Sequence, residues 1–361
     1  MTIENVTVIE HLPFPDIEAL ETRAVLKKVA SANRYLAELK GVVSSIPNEA
    51  ILINTLALQE AKQSSAIENI ITTHDELFKA ELDLENQNLA TKEVQNYTQA
   101  LKQGFDTVRH SKIIRISDIL EIQQTLEKNK AGFRKLPGTT LKNNQGEIVY
   151  TPPQHSDEIH RLMDNLVQFI NDDDVSDLDP LVKMAIIHHQ FESIHPFYDG
   201  NGRTGRILNI LYLVAQGLLD LPVLYLSHYL IHHKADYYHY IQEVRDTGNW
   251  ENWLLYMLEG IEKTAISTII LVQEMKKLMN YYKRTIREQK PKIYQQELLN
   301  NLFNHPYTKI EFMVQDLGVS RKTASKYLDE LVEIKLLEKH KIGRNVYYIN
   351  QPLYQLFLNR E

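Results

Sequence analysis

Apolar residues recur every three or four positions through most of the first 281 residues, and this spacing restricts the fold more than any other feature. A helix returns to the same face after about 3.6 residues, so the period predicts amphipathic helices that pack against one another. The chain is therefore predicted to be mainly α. The predicted helices span residues 16–42, 48–71, 89–109, 117–130, 156–171, 179–192, 203–217, 234–246 and 249–281.

One segment before residue 290 has the character of a strand pair, namely residues 138–154, "GTTLKNNQGEIVYTPPQ". Asn143, Asn144 and Gly146 favour a tight turn, and the two prolines that follow would end a strand. The sequence therefore predicts a short β-hairpin within a helical domain.

The sequence after about residue 288 follows a different order: helix, short helix, the turn "LGVS", a helix from Ser320, and two short strands. This order predicts a winged helix-turn-helix. Residues 291–361 hold 10 Lys+Arg against 8 Asp+Glu, so the unit is only mildly basic, and both DNA and protein remain open as its partner. The residues that would meet a DNA duplex are Arg321, Lys322, Lys326, Lys339, Lys341 and Arg344.

Length and charge narrow the class of protein. A chain of 361 residues favours two units, one of them dominant. The net charge of -7 argues against a protein that covers nucleic acid or anionic membranes with its whole surface. No apolar stretch reaches the roughly 18 residues of a membrane span, and the first 20 residues lack the basic start of a secretory signal, so we expect a cytoplasmic protein without a membrane partner. The absence of cysteine excludes disulfides and thiolate metal sites.

Residues 195–206, "HPFYDGNGRTGR", combine three glycines, two arginines, one aspartate and one histidine. The part "GNGRTG" satisfies the dinucleotide pattern G-x-G-x-x-G, but a helical segment precedes it where that fold requires a buried strand. The lysine and hydroxyl residue that end a Walker loop are missing as well. Both nucleotide folds are therefore excluded.

This segment instead reads as a glycine turn that leads directly into an amphipathic helix. Inward-turning amides and the positive end of the helix dipole make such a turn an anion site. Arg203 and Arg206 lie three residues apart on one helix face, a spacing that suits two phosphates. Asp199 is a candidate Mg²⁺ ligand, and His195 is the side chain that accepts a proton near neutral pH. Together they predict phosphoryl or nucleotidyl transfer.

Two candidate metal sites offer alternatives to this interpretation. The acidic segment 171–180 lacks the spaced ligands and terminal glutamate of a calcium loop, so a solvated connection is favoured. His188 and His189 suggest zinc together with His195, but no further ligand stands at a metalloenzyme spacing. Neither site is predicted.

The segment 195–206 matches the motif of the Fic family, H-P-F-x-[D/E]-G-N-G-R-x-x-R, at every defined position. The chain resembles that family from about residue 10 to 260. The resemblance implies a Fic-type helical domain whose β-hairpin is a flap, here followed by the winged helix-turn-helix. It also implies transfer of AMP from ATP to a Tyr, Thr or Ser hydroxyl of a target protein, with pyrophosphate as the leaving group.

The resemblance assigns a role to most residues of the segment. His195 would deprotonate the target hydroxyl, Asp199 would hold Mg²⁺, and the two arginines would hold the β- and γ-phosphates. Asn201 and the neighbouring amides would cradle the α-phosphate. A relative that transfers phosphate has lysine in the place of Gly202 and lacks the final arginine, so AMP transfer is favoured here. The nucleotide-binding set is Gly200, Asn201, Gly202, Arg203, Thr204, Gly205 and Arg206, with Tyr237 and Tyr238 as possible adenine contacts.

A second signature, "SSAIEN", lies upstream. Ser64, Glu68 and Asn69 match the family's inhibitory pattern [S/T]-x-x-x-E-[G/N], and the serine and glutamate share one helix face. The resemblance implies that Glu68 pairs with Arg206 and prevents ATP from seating its γ-phosphate. It leaves open that the same site removes AMP under some conditions.

These assignments divide the chain into four parts: an N-terminal helical region (1–110), a catalytic core (111–260), a connecting helix (261–290) and the winged helix (291–361). The flap, residues 138–154, would align the target by adding its backbone as a strand. A homodimer that buries the inhibitory helix is a further expectation. The rival interpretation is a DNA-binding regulator whose large domain senses a nucleotide.

Overall fold

The structure, a computed structural model, describes residues 9–82, 87–143, 145–342 and 345–358. Helices account for most of these residues, and the strands form two small antiparallel sheets. The mainly α prediction is therefore confirmed. None of the helices in these ranges is long and apolar enough to cross a bilayer.

Four helices form the N-terminal part: α1 (Arg23–Val43), α2 (Glu49–Ile67), α3 (His74–Glu81) and α4 (Leu89–Ser111). The first helix begins later than predicted, because Thr22 caps it by accepting a hydrogen bond from the Val25 amide at 3.3 Å. The second ends at Ile67 rather than at residue 71, because Asn69 adopts a left-handed φ of 63°. α3 was not predicted, since eight residues are too few to show a helical period.

The centre of the molecule is a pair of buried helices. α7 (Pro180–Ile194) and α8 (Asn201–Ala215) pack against each other, and nearly every residue of both is buried. A helix that is buried all round belongs to the core of its protein. α5 (Ile116–Glu127) packs against α8, and α6 (Ser156–Asn171) packs against α7. α10 (Lys234–Thr247) is hydrogen-bonded to α7 through Tyr237 and His188, and α9 (Ser227–His232) packs against α2.

The predicted hairpin is present as β1 (Leu141–Lys142) and β2 (Ile148–Tyr150), which pair antiparallel. Its turn is closed by Asn143, whose Oδ1 accepts hydrogen bonds from the amides of Gln145 and Glu147, both at 3.0 Å. Asn144, which was also predicted in this turn, lies outside the described residues.

One helix joins the two halves of the chain. α11 (Glu251–Gln289) runs for 39 residues, eight residues beyond the predicted end at 281. The predicted connecting segment, residues 261–290, is therefore largely continuous with a helix that starts at Glu251, within the predicted catalytic core. α1 packs along it.

The C-terminal unit has the predicted elements in the predicted order, with one additional strand after its first helix and one additional helix at its end. Ser320 caps the second helix of the predicted turn, since its Oγ accepts a hydrogen bond from the Thr323 amide at 3.2 Å. The sheet order is β3-β5-β4. Assignment to the winged-helix class remains a prediction. The elements are α12 (Gln296–Asn304), β3 (Tyr307–Thr308), α13 (Ile310–Leu317), α14 (Arg321–Glu333), β4 (Glu338–Ile342), β5 (Asn345–Ile349) and α15 (Gln351–Leu358).

This unit packs against the N-terminal helices through an aromatic cluster. The ring of Phe78 on α3 lies 5.4 Å from that of Tyr307, 6.1 Å from that of Tyr354 and 6.3 Å from that of Phe357. The Tyr307 hydroxyl also donates a hydrogen bond to Asp75 Oδ1 at 2.8 Å. The short helix α3 therefore connects the two units.

We expect Phe78→Ala to lower the free energy of unfolding by about 3–5 kcal/mol, because a fully buried ring leaves a cavity. The midpoint of urea denaturation measures this loss. Leu89→Ala is the control, since Leu89 is an exposed side chain whose truncation changes the midpoint little. Equal midpoints for the two variants would contradict the aromatic cluster as a stabilising contact.

Candidate active site

His195 follows directly on the last residue of α7. It adopts a left-handed φ of 48°, and its amide donates to the Phe191 carbonyl at 2.9 Å, which ends the helix. Its Nδ1 is buried and has no hydrogen-bond partner among the described residues. Burial, with the positive charges of Arg134 and Arg245, lowers the pKa of His195 to about 4. The imidazole is therefore neutral at physiological pH and able to accept a proton.

The loop after His195 is held in shape by Asn201. Its Oδ1 accepts a hydrogen bond from the Phe197 amide at 2.8 Å, and its Nδ2 donates to the Phe197 carbonyl at 2.8 Å. The resemblance implied a phosphate contact for this side chain. The structure instead commits both of its hydrogen-bonding groups to closing the loop, because a buried amide needs partners for its donor and its acceptor.

Two glycines of the loop lie in close contact with carboxylates. Gly200, the residue before α8, has a left-handed φ of 79°, and a Cβ there would clash with the carboxylate of Glu127. A Cβ on Gly202 would lie 2.5 Å from Glu68 Oε1. The carboxylate of Glu68 therefore lies directly over the first turn of α8, where the helix dipole attracts an anion.

Arg206 is bound by α2 through three hydrogen bonds. Its Nε donates to Ser64 Oγ at 2.7 Å, and its Nη2 donates to the Ser64 carbonyl at 3.0 Å and to Glu68 Oε1 at 2.8 Å. Burial acts to raise the pKa of Glu68, but the charge and the hydrogen bond of Arg206, together with the charges of Arg203 and Lys234, hold that pKa below its usual value. The pairing of Glu68 with Arg206 that the resemblance implied is present.

The end of α2 explains why these residue types stand together. Ser64 lies one turn before Glu68 and aligns the same guanidinium. Asn69 ends the helix because asparagine tolerates a left-handed φ, and the Ile70 amide then bonds the Ser65 carbonyl at 3.0 Å. All three residues of the predicted inhibitory pattern thus fix one carboxylate at the start of α8.

Arg203 has different partners from Arg206. Its Nη1 donates to Glu93 on α4 at 2.9 Å, and its Nη2 donates to Glu127 on α5 at 2.8 Å. The prediction that Arg203 and Arg206 together bind two phosphates is therefore not met in this arrangement. A buried guanidinium needs carboxylate partners of its own, and each arginine finds them on a different side of α8.

Asp199 lies exposed at the mouth of the loop. Its Oδ1 accepts a hydrogen bond from the Gly200 amide at 2.7 Å, and its carbonyl accepts one from Gln123 Nε2 at 3.3 Å. Burial raises the pKa of Glu127, Arg203 opposes this shift and Asp199 adds to it, so the two carboxylates lie within electrostatic reach. Mg²⁺ is usually bound by one or two protein carboxylates, and water and phosphate oxygens supply its remaining ligands. Asp199, with Glu127 nearby, agrees with this ligand set. In the ranges that the structure covers, no group of three or more His, Asp or Glu side chains is arranged as a metal site.

Two residues near the site were missed by the sequence interpretation. Glu192 is buried one turn before His195, and its Oε1 has no hydrogen-bond partner among the described residues. Burial raises its pKa to about 7, although Arg206 opposes the shift. An acid within the apolar stretch "MAIIHHQFESI" was the available signal. The second residue is Arg134. Apart from its charge, nothing in the sequence indicated that it lies near the site.

The two tyrosines predicted beside the adenine lie in different environments. Tyr237 is 3% exposed, and its hydroxyl bonds His188 Nε2 at 2.9 Å in the core. Tyr238 is 47% exposed. An adenine contact therefore stays a prediction for Tyr238 alone, because Tyr237 offers no free ring surface. His188 and His189 also belong to the core, where burial lowers the pKa of each to about 3.

The basic residues predicted to meet DNA are partly neutralised. Three of the six form ion pairs with acids of their own unit, and Arg344 lies outside the described residues. Lys322 and Lys341 are exposed. The pairs are Arg321–Glu311 at 2.5 Å, Lys326–Glu330 at 3.7 Å and Lys339–Asp329 at 2.7 Å. This distribution reduces the positive surface available to a phosphate backbone.

Comparison with known families agrees with this site. The profile "Fic/DOC family" matches residues 113–213, and "Fic/DOC family N-terminal" matches residues 26–106. A third profile, "Protein adenylyltransferase SoFic-like, C-terminal domain", matches residues 278–353. The three matches cover the N-terminal helices, the catalytic loop and the C-terminal unit in turn.

Individual relatives are similar at modest identity. "Protein adenylyltransferase Fic" of Aedes aegypti is 25% identical over 261 residues, which are 71% of this chain and 48% of that protein. "Protein adenylyltransferase fic-1" of Caenorhabditis elegans is 30% identical over 112 residues, which are 30% of this chain and 22% of that protein. The chain thus spans half or less of the length of these relatives.

Solved structures share the fold. A Fic family protein from Desulfovibrio desulfuricans G20 superposes with a TM-score of 0.58 at 19% identity, over 91% of this chain and 96% of that one. Fic-1 of C. elegans, residues 134–508, superposes with a TM-score of 0.54 at 20% identity, over 70% of this chain and 74% of that one. The first superposition extends into the C-terminal part.

Proposed function

Because the chain belongs to the Fic/DOC family, we propose that it is a protein adenylyltransferase, which transfers AMP from ATP to a Tyr, Thr or Ser hydroxyl of a target protein. The observation that carries the proposal is the neutral imidazole of His195, beside a helix start whose glycines and arginine suit an anion. A base and an anion site are the two elements that attack on an α-phosphate requires.

His195 and the anion site at the start of α8 have separate roles in the proposed reaction. The His195 imidazole accepts the proton of the target hydroxyl, whose oxygen forms a bond to the α-phosphorus of ATP. The bond from that phosphorus to the bridging oxygen breaks, and pyrophosphate leaves. Backbone amides at the start of α8 and the guanidinium of Arg206 stabilise the negative charge of the phosphates. Arg203, fixed by two carboxylates, positions the first turn of that helix.

Mg²⁺ belongs to the same proposal. Asp199, with its exposed carboxylate, would hold the ion on the phosphates, and Glu127 lies near enough to contribute through water. When bound, the ion supplies positive charge that neutralises the leaving pyrophosphate. The residues that orient the reaction remain His195 and Arg206.

We further propose that Glu68 holds the enzyme inactive. Its carboxylate occupies Arg206 and the space over Gly202, both of which the ATP phosphates need. The γ-phosphate and the Glu68 carboxylate would lie at the same guanidinium edge and the same helix start, where their like charges repel, so ATP must displace Glu68 before it seats productively. The inhibition is therefore a competition between a tethered carboxylate and the γ-phosphate.

The flap is the proposed docking site for the target. Two apolar side chains of β2, Ile148 and Val149, are 59% and 44% exposed, and Leu136, two residues before the flap, is 68% exposed. Because a two-stranded sheet has free edges, an extended segment of the target can add to it as a strand. Backbone pairing would carry the target hydroxyl to His195.

Intact-mass analysis tests the proposal. The Glu68→Gly variant, incubated with ATP, Mg²⁺ and candidate proteins including the chain itself, should add the mass of one AMP to an acceptor. The same incubation with Asp199→Ala, or with EDTA, should add much less. Addition of a single phosphate would contradict AMP transfer. Nucleotide retained without any covalent product would favour the nucleotide-sensing regulator, and loss of AMP from a modified protein would favour the removing activity.

A further inference from the structure

Arg134 binds three consecutive carbonyl oxygens around the catalytic histidine. Its Nε donates to the His195 carbonyl at 2.7 Å, its Nη2 donates to the Ile194 carbonyl at 3.4 Å, and its backbone amide donates to the Pro196 carbonyl at 2.8 Å. The residue is fully buried. The Ile194 carbonyl is at the negative end of α7, where a cation is favoured, and the other two carbonyls follow directly after the helix.

The same guanidinium also reaches the far end of the flap. Arg134 Nη2 donates to the Pro153 carbonyl at 2.9 Å, just after β2. Arg134 itself stands before β1, so one residue joins both ends of the hairpin to the histidine. Such a residue determines how the flap is placed relative to the reacting side chain.

Two tyrosines add to this connection. The Tyr198 hydroxyl accepts hydrogen bonds from the amides of Lys135 and Leu136, at 3.0 and 3.1 Å. The Tyr150 hydroxyl on β2 donates to the Ser193 carbonyl at 2.9 Å. Residues on both sides of His195 are therefore attached to this region, Tyr198 to the segment that leads into the flap and Ser193 to β2.

We propose that Arg134 is a positioning residue that sets the distance and register between the flap and His195, with Tyr198 as its support. This inference rests on the proposed function, since it concerns the position of the target's hydroxyl group relative to His195. A target paired with the flap has little freedom along its strand, so a displaced flap would misplace the hydroxyl. A misplacement of about 1 Å can cost about a hundredfold in rate.

Arg134 also contributes charge to the site. The groups that face His195 are Arg134, Arg245 on α10 and Glu68 on α2, in addition to its buried surroundings. The two cations lower the pKa of the imidazole and Glu68 raises it. Removing the charge at position 134 should therefore raise that pKa, whereas a lysine there should keep it low.

The test compares Arg134→Gln, Arg134→Lys and Tyr198→Phe, each combined with Glu68→Gly. We would measure the Kd for ATP, the kcat and acceptor KM with the protein modified in the mass experiment, and the pKa of His195 by NMR.

We expect both Arg134 variants to lower kcat/KM by about tenfold to a hundredfold while the Kd for ATP changes less than twofold. Only Arg134→Gln should raise the pKa of His195. Tyr198→Phe should raise the acceptor KM alone.

The outcomes separate this inference from its premise. If Glu68→Gly alone transfers no AMP, the proposed function fails. If it does, unchanged kcat/KM in the Arg134 variants overturns the positioning role, as does a Kd for ATP that worsens in parallel with kcat. Should the Arg134 variants not fold, Tyr198→Phe decides, because its side chain is exposed. An unchanged acceptor KM in that variant then overturns the inference.

Discussion

Replacement of Glu68 by glycine is expected to raise the rate of AMP transfer by about 5- to 150-fold, the range of a typical coupling between two sites. In the parent chain the Glu68 carboxylate lies 2.8 Å from Arg206 Nη2 and covers Gly202 at the start of α8. Removing it frees the guanidinium for the γ-phosphate. The affinity for ATP should rise with the rate, because both depend on the same displacement.

Two control variants make this result specific. Glu49→Gly removes another paired carboxylate of α2, which bonds Arg109 2.6 Å away, and should leave transfer unchanged. Glu68→Gln retains the size of the side chain without its charge and should release the enzyme partly. Transfer rates and ATP affinities that are equal in Glu68→Gly and the parent chain would refute the competition between Glu68 and ATP.

Features with a local cause were predictable from the sequence. The helices followed from the spacing of apolar residues, and the hairpin followed from its turn residues. The segment 195–206 and the pair Glu68–Arg206 were found because their residue types are rare in that arrangement and resemble one family. α3, α9 and α15 were missed, since helices of six to eight residues are too short for a period, whereas the equally short α13 was found from the order of elements around the turn "LGVS".

Features with distant partners were not predictable. Arg203 was expected to contact phosphate because its neighbours in sequence suggested an anion site, yet Glu93 and Glu127 lie 110 and 76 residues away. The contacts of Arg134 are to backbone carbonyls, which leave no trace in the residue types of its partners. Only the folded chain brings such groups together.

His195→Ala should lower AMP transfer by about 10²- to 10⁴-fold, the usual contribution of a positioned general base. The affinity for ATP should change little, because the proposed phosphate contacts are made by α8 and Arg206 rather than by the imidazole. The measurement is labelled AMP transfer in the Glu68→Gly background, together with the Kd for ATP. His155→Ala, which removes an exposed histidine with no side-chain bond to the cap of α6, is the matched control.

The pH dependence gives an independent test of the same base. A base acts in its neutral form, so transfer should fall as the pH drops through the pKa of His195, which is about 4. An unperturbed histidine would instead lose activity near pH 6.5. Activity that stays level from pH 7 down to about 5 in the Glu68→Gly variant would therefore agree with a buried, neutral imidazole. Loss of half the activity near pH 6.5, or full transfer by His195→Ala, would mean that another group takes the proton.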